Sequence, residues 1–153
     1  MGSISAHAHD RYLCDVYDKE NKYLPKPGDP KRYQTLQWVH AAEGMFALHG
    51  IAILYARWNQ KDGDVAKTEE SMSKNVIKDM DFLEESLKNS GGKWLMGNQL
   101  SAADFMMHFS ATFIIARELG VKGRKYPEID RWLKDCEATE SYKNAVQKTG
   151  HKL

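Results

Sequence analysis

The chain has 153 residues, which suits one domain with a hydrophobic core of its own. Its 22 basic and 21 acidic residues give a formal charge of +1, whereas a nucleic-acid partner would require a basic stripe. No uninterrupted apolar run reaches the roughly 18 residues that a membrane span needs, and MGSISAHAHD is not a signal-peptide pattern. Composition therefore predicts a protein that binds neither nucleic acid nor a membrane.

Two cysteines, Cys14 and Cys136, lie far apart and form no CxxC motif, so we expect reduced structural thiols in a cytoplasmic protein. Seven methionines and four tryptophans, beside only four prolines, favour an all-helical domain. Residues 1–10 are expected to be a flexible or artificial terminus, because a Gly-Ser pair and closely spaced histidines are typical of an added tag. Residues 11–153 are then the helical domain.

An amphipathic helix is predicted over residues 5–18, and a loop over residues 23–30 follows it. Three prolines within six positions of this loop cannot continue a helix. Asp29 and Pro30 suit the N-cap and the first turn of the next helix. The stripe of the first helix consists of Tyr12, Leu13, Val16 and Tyr17.

The next predicted helix runs from Pro30 to Asn59 and is apolar on more than one side. It must therefore contact both the core and something else, either a partner subunit, a second domain or a ligand. Gly44 and Gly50 permit a bend or the close approach of another backbone. One face carries Leu36, Val39, Glu43, Phe46, Gly50 and Leu54, and another carries Trp38, Ala41, Met45, Leu48, Ala52 and Tyr55.

After a turn over residues 61–64, a second long helix is predicted from Val65 to Asn89, antiparallel to the first. Charged residues fill its other faces, which indicates a solvated outer surface. Its apolar stripe consists of Met72, Val76, Met80, Leu83 and Leu87.

The stretch Gly91–Met107 is predicted to begin a buried core helix. Ser101 is a good N-cap, and Asp104 follows it at capping-box spacing. Leu100 and Phe105 have the spacing of a hydrophobic staple. The residues after Asp104 are almost all apolar, and a helix that is apolar all round is buried.

The core helix is predicted over residues 101–118 and to end before Gly120, which suits a left-handed C-terminal position. A basic loop over residues 122–125, a short helix over residues 126–136 and a last helix over residues 140–148 complete the chain. Because no strand pattern of any length is present, the predicted fold class is all-α, a multi-helix bundle around one capped core helix.

Four motifs in this order resemble the C-terminal helical domain of cytosolic glutathione S-transferases, most of all the fungal members. Together they span about residue 11 to the C-terminus, and the resemblance implies the fold of that domain. The motifs are Arg11–Tyr17, Arg32–Gly44, Trp94–Gly97 with Leu100–Asp104, and Tyr126–Trp132 with Ser141–Ala145.

In that family a thioredoxin-like domain precedes the helical domain and supplies the Tyr, Ser or Cys that activates the glutathione thiol. We expect that domain to be missing from this chain, since Ser5 and Ala6 occupy the places of the family's Glu-Ser pair. The resemblance implies conjugation of glutathione, as co-substrate, to electrophiles, a role in detoxification and a dimer. We expect no catalytic residue and no cofactor in this chain.

Individual side chains give few signs of a catalytic site. A metal site at His7, His9 and Asp10 lacks a supporting ligand pattern, so we predict no metal. The residues interpreted as packing groups are Tyr12, Tyr17 and Tyr33.

Three histidines lie on largely apolar helices, and His108 is predicted to be a core histidine with a local partner. Asp104 is interpreted as structural, with an indirect role near a glutathione site as the alternative. Cys136 is predicted to be an inert thiol. The other two histidines are His40 and His49.

The resemblance places an electrophile pocket along the first long helix. Core packing or a subunit interface explains the same residues at least as well. The expected partners are a second copy of the chain, a thioredoxin-like domain or hydrophobic small molecules. The predicted pocket residues are Trp38, Met45, His49 and Tyr55.

Three functions follow from these observations. The first is a glutathione S-transferase homologue whose catalytic domain lies outside this chain. The second is a non-catalytic module for protein interaction or assembly, because the long helix has two apolar sides. The third is a carrier that holds small molecules along the stretch from Trp38 to Tyr55.

Overall fold

The computed structural model describes residues 6–150 as seven α-helices and one π-helical segment, with no strand among those residues. This confirms the predicted all-α fold, and each predicted helix lies within two residues of its expected ends. The elements are α1 (Ala6–Tyr17), α2 (Pro30–Ala41), the π-helical segment (Ala42–Ala47), α3 (Leu48–Asn59), α4 (Val65–Asn89), α5 (Ala102–Ala116), α6 (Pro127–Glu137) and α7 (Glu140–Thr149).

The expected N-terminal segment 1–10 falls partly outside the described residues. Gly2, Ser3 and Ser5 lie in that undescribed part, and the side chain of His7 is not described. The expected boundary after residue 10 falls inside α1, which begins at Ala6.

The long helix Pro30–Asn59 is continuous through α2, the π-helical segment and α3. It begins with the predicted cap, because the Asp29 carboxylate accepts from the backbone N–H of Lys31 at 2.9 Å. The π-helical segment was not predicted. Its first carbonyl, that of Ala42, accepts a 2.8 Å hydrogen bond from the hydroxyl of Ser110 on α5. That bond joins the irregular part of the long helix to the core helix.

By length and composition alone, Pro30–Asn59 is apolar enough to cross a membrane. In the bundle, 39% of its most apolar window is buried against the rest of the protein. A core helix of a helical bundle can have the same length and apolar composition. These two properties therefore do not distinguish a membrane-spanning helix from a core helix.

The core lies between the long helix, α4 and α5. Phe46, Ile53, Met80 and Ile114 come from all three elements and have no exposed surface. Burial of each such side chain contributes about 1.5–3 kcal/mol, so this three-helix contact is strongly stabilising. The predicted stripe of α4 is confirmed, with Met72 at its half-buried end.

One face of α5 is open, although the sequence predicted a helix buried all round. Ala103 and Met107 are fully buried, whereas Phe105 and Phe109 are 40% and 58% exposed. The long helix, α1 and α6 pack against α5 and leave this face uncovered. An apolar composition therefore did not distinguish a buried helix from one with an exposed aromatic face.

Asp104, which is fully buried, joins the turn before α5 to α6. Its Oδ1 accepts from the backbone N–H of Leu95 at 3.0 Å and from Nε1 of Trp132 at 2.9 Å. Its Oδ2 accepts from both the backbone N–H and the hydroxyl of Ser101 at 2.9 Å. The structure thus has a capping box at this position, whose aspartate also holds two other elements.

Candidate functional site

Two of the four predicted pocket residues, Trp38 and Met45, line one groove between α2 and α4. The groove has a volume of about 660 Å³. The Trp38 ring stacks on Phe82 of α4, with ring centroids 5.2 Å apart and planes at 20°. We call this surface the α2–α4 groove, and its other lining residues include Gln34, Gln37, His40, Gly44, Leu95 and Met96.

The other two predicted residues lie elsewhere. His49 turns toward α4, where its Nδ1 lies 2.5 Å from Oδ2 of the buried Asp79. Tyr55 is 56% exposed and contacts Trp58, with ring centroids 6.2 Å apart. The four residues therefore do not form one continuous pocket.

The π-helical segment explains the position of His49. At about 100° per residue, an ideal α-helix places His49, eleven residues after Trp38, on the same face as Trp38. A π-helical turn closes hydrogen bonds from i to i+5, so it shifts the later side chains by about one residue. The segment Ala42–Ala47 stands between the two residues and rotates His49 away from the groove.

A second apolar surface lies on α3 and α5, and we call it the α3–α5 face. Phe113 stacks on Phe109 with parallel rings 6.1 Å apart, and a Cβ built at Gly50 would lie 3.6 Å from Phe113, so the two helices approach each other at Gly50. The most exposed members of the face, at 56–64%, are Leu48, Tyr55, Trp58 and Phe109.

Sequence reasoning missed Phe82 and Phe109. Phe82 lies off the predicted stripe of α4, and an aromatic side chain outside the stripe is the one signal that could have identified it. Phe109 was hidden because the whole of α5 was expected to be buried. Both aromatic residues extend the predicted surfaces.

The two thiols are free and poorly suited to ionise. Burial raises the pKa of the Cys14 thiol to about 11, and neighbouring carboxylates, Asp10 first, add to the effect. Burial, with Asp104 nearby, also raises the pKa of Cys136 far above its usual range. Because the thiolate is the reactive form, neither cysteine is equipped to act as a nucleophile.

Tyr12, Tyr17 and Tyr33 are 57–69% exposed, so their interpretation as packing residues is wrong. Each lies on an outward face of α1 or α2. Among the described residues, no group of three or more metal-ligating side chains is present. His9 is exposed at the start of α1.

His108 is a core histidine, as predicted, and is only 8% exposed. Its ring makes edge contacts with Trp132 and Tyr142, at centroid distances of 6.4 and 5.3 Å. Its local partner is Glu137, whose Oε1 lies 3.6 Å from Nε2, within ion-pair range but too far for a hydrogen bond. Burial lowers the pKa of His108, although the nearby Glu137 carboxylate opposes this shift. The buried imidazole is therefore favoured in its neutral form.

Residues 45–140, more than half of the chain, match the family described as "Glutathione S-transferase, C-terminal domain". A glutathione S-transferase from Actinobacillus pleuropneumoniae is similar, with a TM-score of 0.81 and 26% identity over 99% of this chain. The glutathione transferase URE2P8 from Phanerochaete chrysosporium, solved with oxidised glutathione, has a TM-score of 0.80 and 17% identity over 95% of this chain. At that identity, the second likeness shows the fold alone.

A third similar structure is Ure2p5 from Phanerochaete chrysosporium, cocrystallised with 1-(S-glutathionyl)-2,4-dinitrobenzene. It has a TM-score of 0.77 and 18% identity, and it covers 97% of this chain and 69% of its own. The chain spans 66% and 65% of the first two structures, slightly less than two thirds of their length. No curated protein matches the chain.

Proposed function

The chain belongs to the family of glutathione S-transferase C-terminal domains, and on that premise we propose that it is the helical part of a glutathione transferase. By resemblance, such a protein conjugates glutathione to electrophiles in the cytoplasm, as a step of detoxification. Of the similar structures, one was solved with oxidised glutathione and another with a dinitrobenzene conjugate of glutathione. The proposal extends that chemistry to this chain.

The proposal divides the reaction between two parts of the protein. Glutathione addition needs a thiolate, so a donor or a positive charge must lower the pKa of a thiol that is ordinarily near 8.5. We assign no catalytic residue in this chain and attribute thiol activation to a thioredoxin-like domain. The helical domain then supplies apolar contacts to the electrophile.

The exposed aromatic α3–α5 face is the observation that carries this proposal. A contiguous apolar patch on a protein surface is typical of a docking or ligand-binding site. Tyr55 of α3 and Phe109 of α5 are 56% and 58% exposed, on two helices that approach each other at Gly50. We propose that a thioredoxin-like domain docks on this face and that the electrophile lies between the two domains, against Tyr55 and Phe109.

Calorimetric titration with 1-(S-glutathionyl)-2,4-dinitrobenzene tests the assignment of this face. Tyr55→Ala and Phe109→Ala are each expected to weaken binding about two- to tenfold, because an aromatic contact contributes roughly 0.5–1.5 kcal/mol. Tyr33→Ala is the matched control, since Tyr33 is an equally exposed tyrosine on α2. Equal affinities in all variants would remove the assignment of the electrophile site.

An activity assay tests the division of labour. In the presence of this chain alone, glutathione and 1-chloro-2,4-dinitrobenzene are expected to form their conjugate no faster than they do in buffer. Turnover that is proportional to the concentration of this chain would contradict the assignment of thiol activation to another domain.

A non-catalytic assembly module is the second candidate function, and the α2–α4 groove favours it. This groove, with its stacked Trp38 and Phe82, is a second apolar surface that the electrophile does not require. We propose that a second copy of the chain covers it. Light scattering that finds only monomer at high concentration would count against this candidate. The carrier hypothesis would have to rest on the α2–α4 groove alone, because Tyr55 does not line that groove.

A further inference from the structure

A smaller cavity of about 210 Å³ lies between the start of α5, the end of α6 and α7. It shares no lining residue with the α2–α4 groove or the α3–α5 face. We call it the α7 pocket, and its walls include Leu100, Phe105, His108, Cys136, Tyr142 and Ala145.

The size and lining of the α7 pocket suit one aromatic ring. A cavity of about 150 Å³ with apolar walls is enough to hold benzene, and this pocket is larger. Phe105 and Tyr142 contribute aromatic side chains to its lining, and Leu100 and Ala145 contribute aliphatic ones. The volume that remains admits one small substituent on the ring.

Asp104 and Thr139 of the pocket wall already make hydrogen bonds, whereas Nε2 of His108 makes none. Both carboxylate oxygens of Asp104 already accept two hydrogen bonds each. The Thr139 hydroxyl donates to the Cys136 carbonyl at 2.7 Å and accepts from the backbone N–H of Tyr142 at 3.3 Å. Nε2 of His108 is buried and makes no hydrogen bond, since Oε1 of Glu137 lies 3.6 Å away, and a buried polar atom in that state is destabilising until a ligand supplies the bond.

We propose that the α7 pocket binds a small neutral aromatic alcohol of about the size of phenol, whose hydroxyl group hydrogen-bonds to Nε2 of His108. A neutral imidazole presents either a donor or an acceptor at Nε2, and a hydroxyl group complements both. The nearby Glu137 carboxylate repels an anion, and the apolar walls disfavour any charged ligand.

Entry of the ligand requires a small movement, because Nε2 is covered in this structure. Helix α7 is the element that can move. None of the α7 residues is buried, so an outward shift of this helix removes little apolar contact. Tyr142 of α7 contacts the His108 ring. It would then contact the ligand as well as the histidine.

Amide chemical shifts of the ¹⁵N-labelled chain test the proposal during titration with millimolar phenol. Saturable changes are expected at Phe105, His108 and Tyr142. Toluene, in which a methyl group replaces the hydroxyl, should bind about two- to tenfold more weakly, the worth of one hydrogen bond. Benzoate should cause no change at these amides. Absence of saturable changes there, changes confined to the α2–α4 groove, or equal affinity for phenol and toluene would overturn the proposal.

Three variants locate the site. Ala145→Phe fills the pocket from an exposed helix and should abolish the changes, whereas Gln147→Phe on the same helix, outside the pocket lining, should preserve them. His108→Phe keeps an aromatic ring and should equalise the affinities for phenol and toluene. Unaltered phenol binding in Ala145→Phe would overturn the proposal. If His108→Phe does not fold, the comparison of Ala145→Phe with Gln147→Phe still shows whether phenol binds in the α7 pocket.

Discussion

Asp104 shows how one residue links separate parts of this chain. Its carboxylate lies in a completely buried position and accepts four hydrogen bonds from three residues. The Ser101–Asp104 spacing was readable in the sequence, because a capping box is a local pattern. The bonds to Leu95 and Trp132 were not predictable, since the first depends on how the turn before α5 folds back and the second on how α6 packs against α5.

Asp104→Ala is expected to destabilise the protein by about 3 kcal/mol or more. The substitution leaves buried donors of Leu95, Ser101 and Trp132 without an acceptor, and each such group costs about 1–3 kcal/mol. The free energy of unfolding in urea measures the loss. Ser101→Ala is the control and should cost only about 1 kcal/mol, because the three other bonds of Asp104 remain. An equal loss in both variants would contradict the role of Asp104 in joining the elements.

His108 is expected to make stability fall on mild acidification. Burial lowers its pKa in the folded protein below the usual value near 6.5. Below about pH 6.5 the unfolded chain therefore binds more protons than the folded chain, and the free energy of unfolding falls as pH falls toward the folded pKa. Above that window this residue contributes no pH dependence.

Urea unfolding at several pH values between about 7.5 and 5 measures this effect. The difference between the wild-type chain and His108→Phe isolates the histidine, because the other titrating groups are common to both. On acidification this difference should move against the wild type by at most about 1.4 kcal/mol per pH unit. A difference that grows in the wild type's favour on acidification would show that the Glu137 carboxylate dominates.

At the scale of elements, the helix starts were predictable because their caps are local. Asp29, Asp64 and Thr139 each accept a backbone N–H of the following turn. The π-helical segment was not predictable, because AEGMFA has no local signal that separates it from an α-helix. Its carbonyl partner, Ser110, lies on another helix. The segment nevertheless decides which side chains reach the α2–α4 groove.

Two glycines of the long helix are expected to respond oppositely to alanine. A Cβ added at Gly44 would meet no neighbouring group within 4 Å, so Gly44→Ala should stabilise the helix by about 0.5–1 kcal/mol. At Gly50 a Cβ would lie 3.1 Å from Cγ1 of the fully buried Ile114. Gly50→Ala should therefore destabilise by about 1 kcal/mol or more through overpacking.

Thermal unfolding of the two variants checks this pair, each against the wild-type chain. Both variants replace glycine with alanine in the same long helix, so they differ only in the side chains that surround the added methyl group. Stabilisation by Gly50→Ala would mean that α3 and α5 have room to separate. It would also weaken the packing on which the α3–α5 face depends.

At the scale of the whole molecule, the helical bundle exposes two apolar surfaces on different sides of its long helix. The sequence predicted this from an apolar pattern on more than one side. It could not assign residues to each surface, because the π-helical segment changes the register between Trp38 and His49. Phe82 and Phe109 come from other helices, and only the packed structure shows that Phe82 stacks on Trp38 of the long helix and that Phe109 stacks on Phe113, which lies near Gly50.

Self-association is expected to depend on the α2–α4 groove and not on the α3–α5 face, which the proposal assigns to a thioredoxin-like domain. Phe82→Ser should shift the chain toward monomer, because Phe82 is 49% exposed and stacks on Trp38. Trp58→Ser is the control, since it removes a 64% exposed aromatic ring from the other surface. Sedimentation velocity over a range of protein concentrations measures the monomer fraction. Loss of the dimer in Trp58→Ser alone would contradict this assignment. It would mean that a second copy of the chain covers the α3–α5 face, which the proposal assigns to a thioredoxin-like domain.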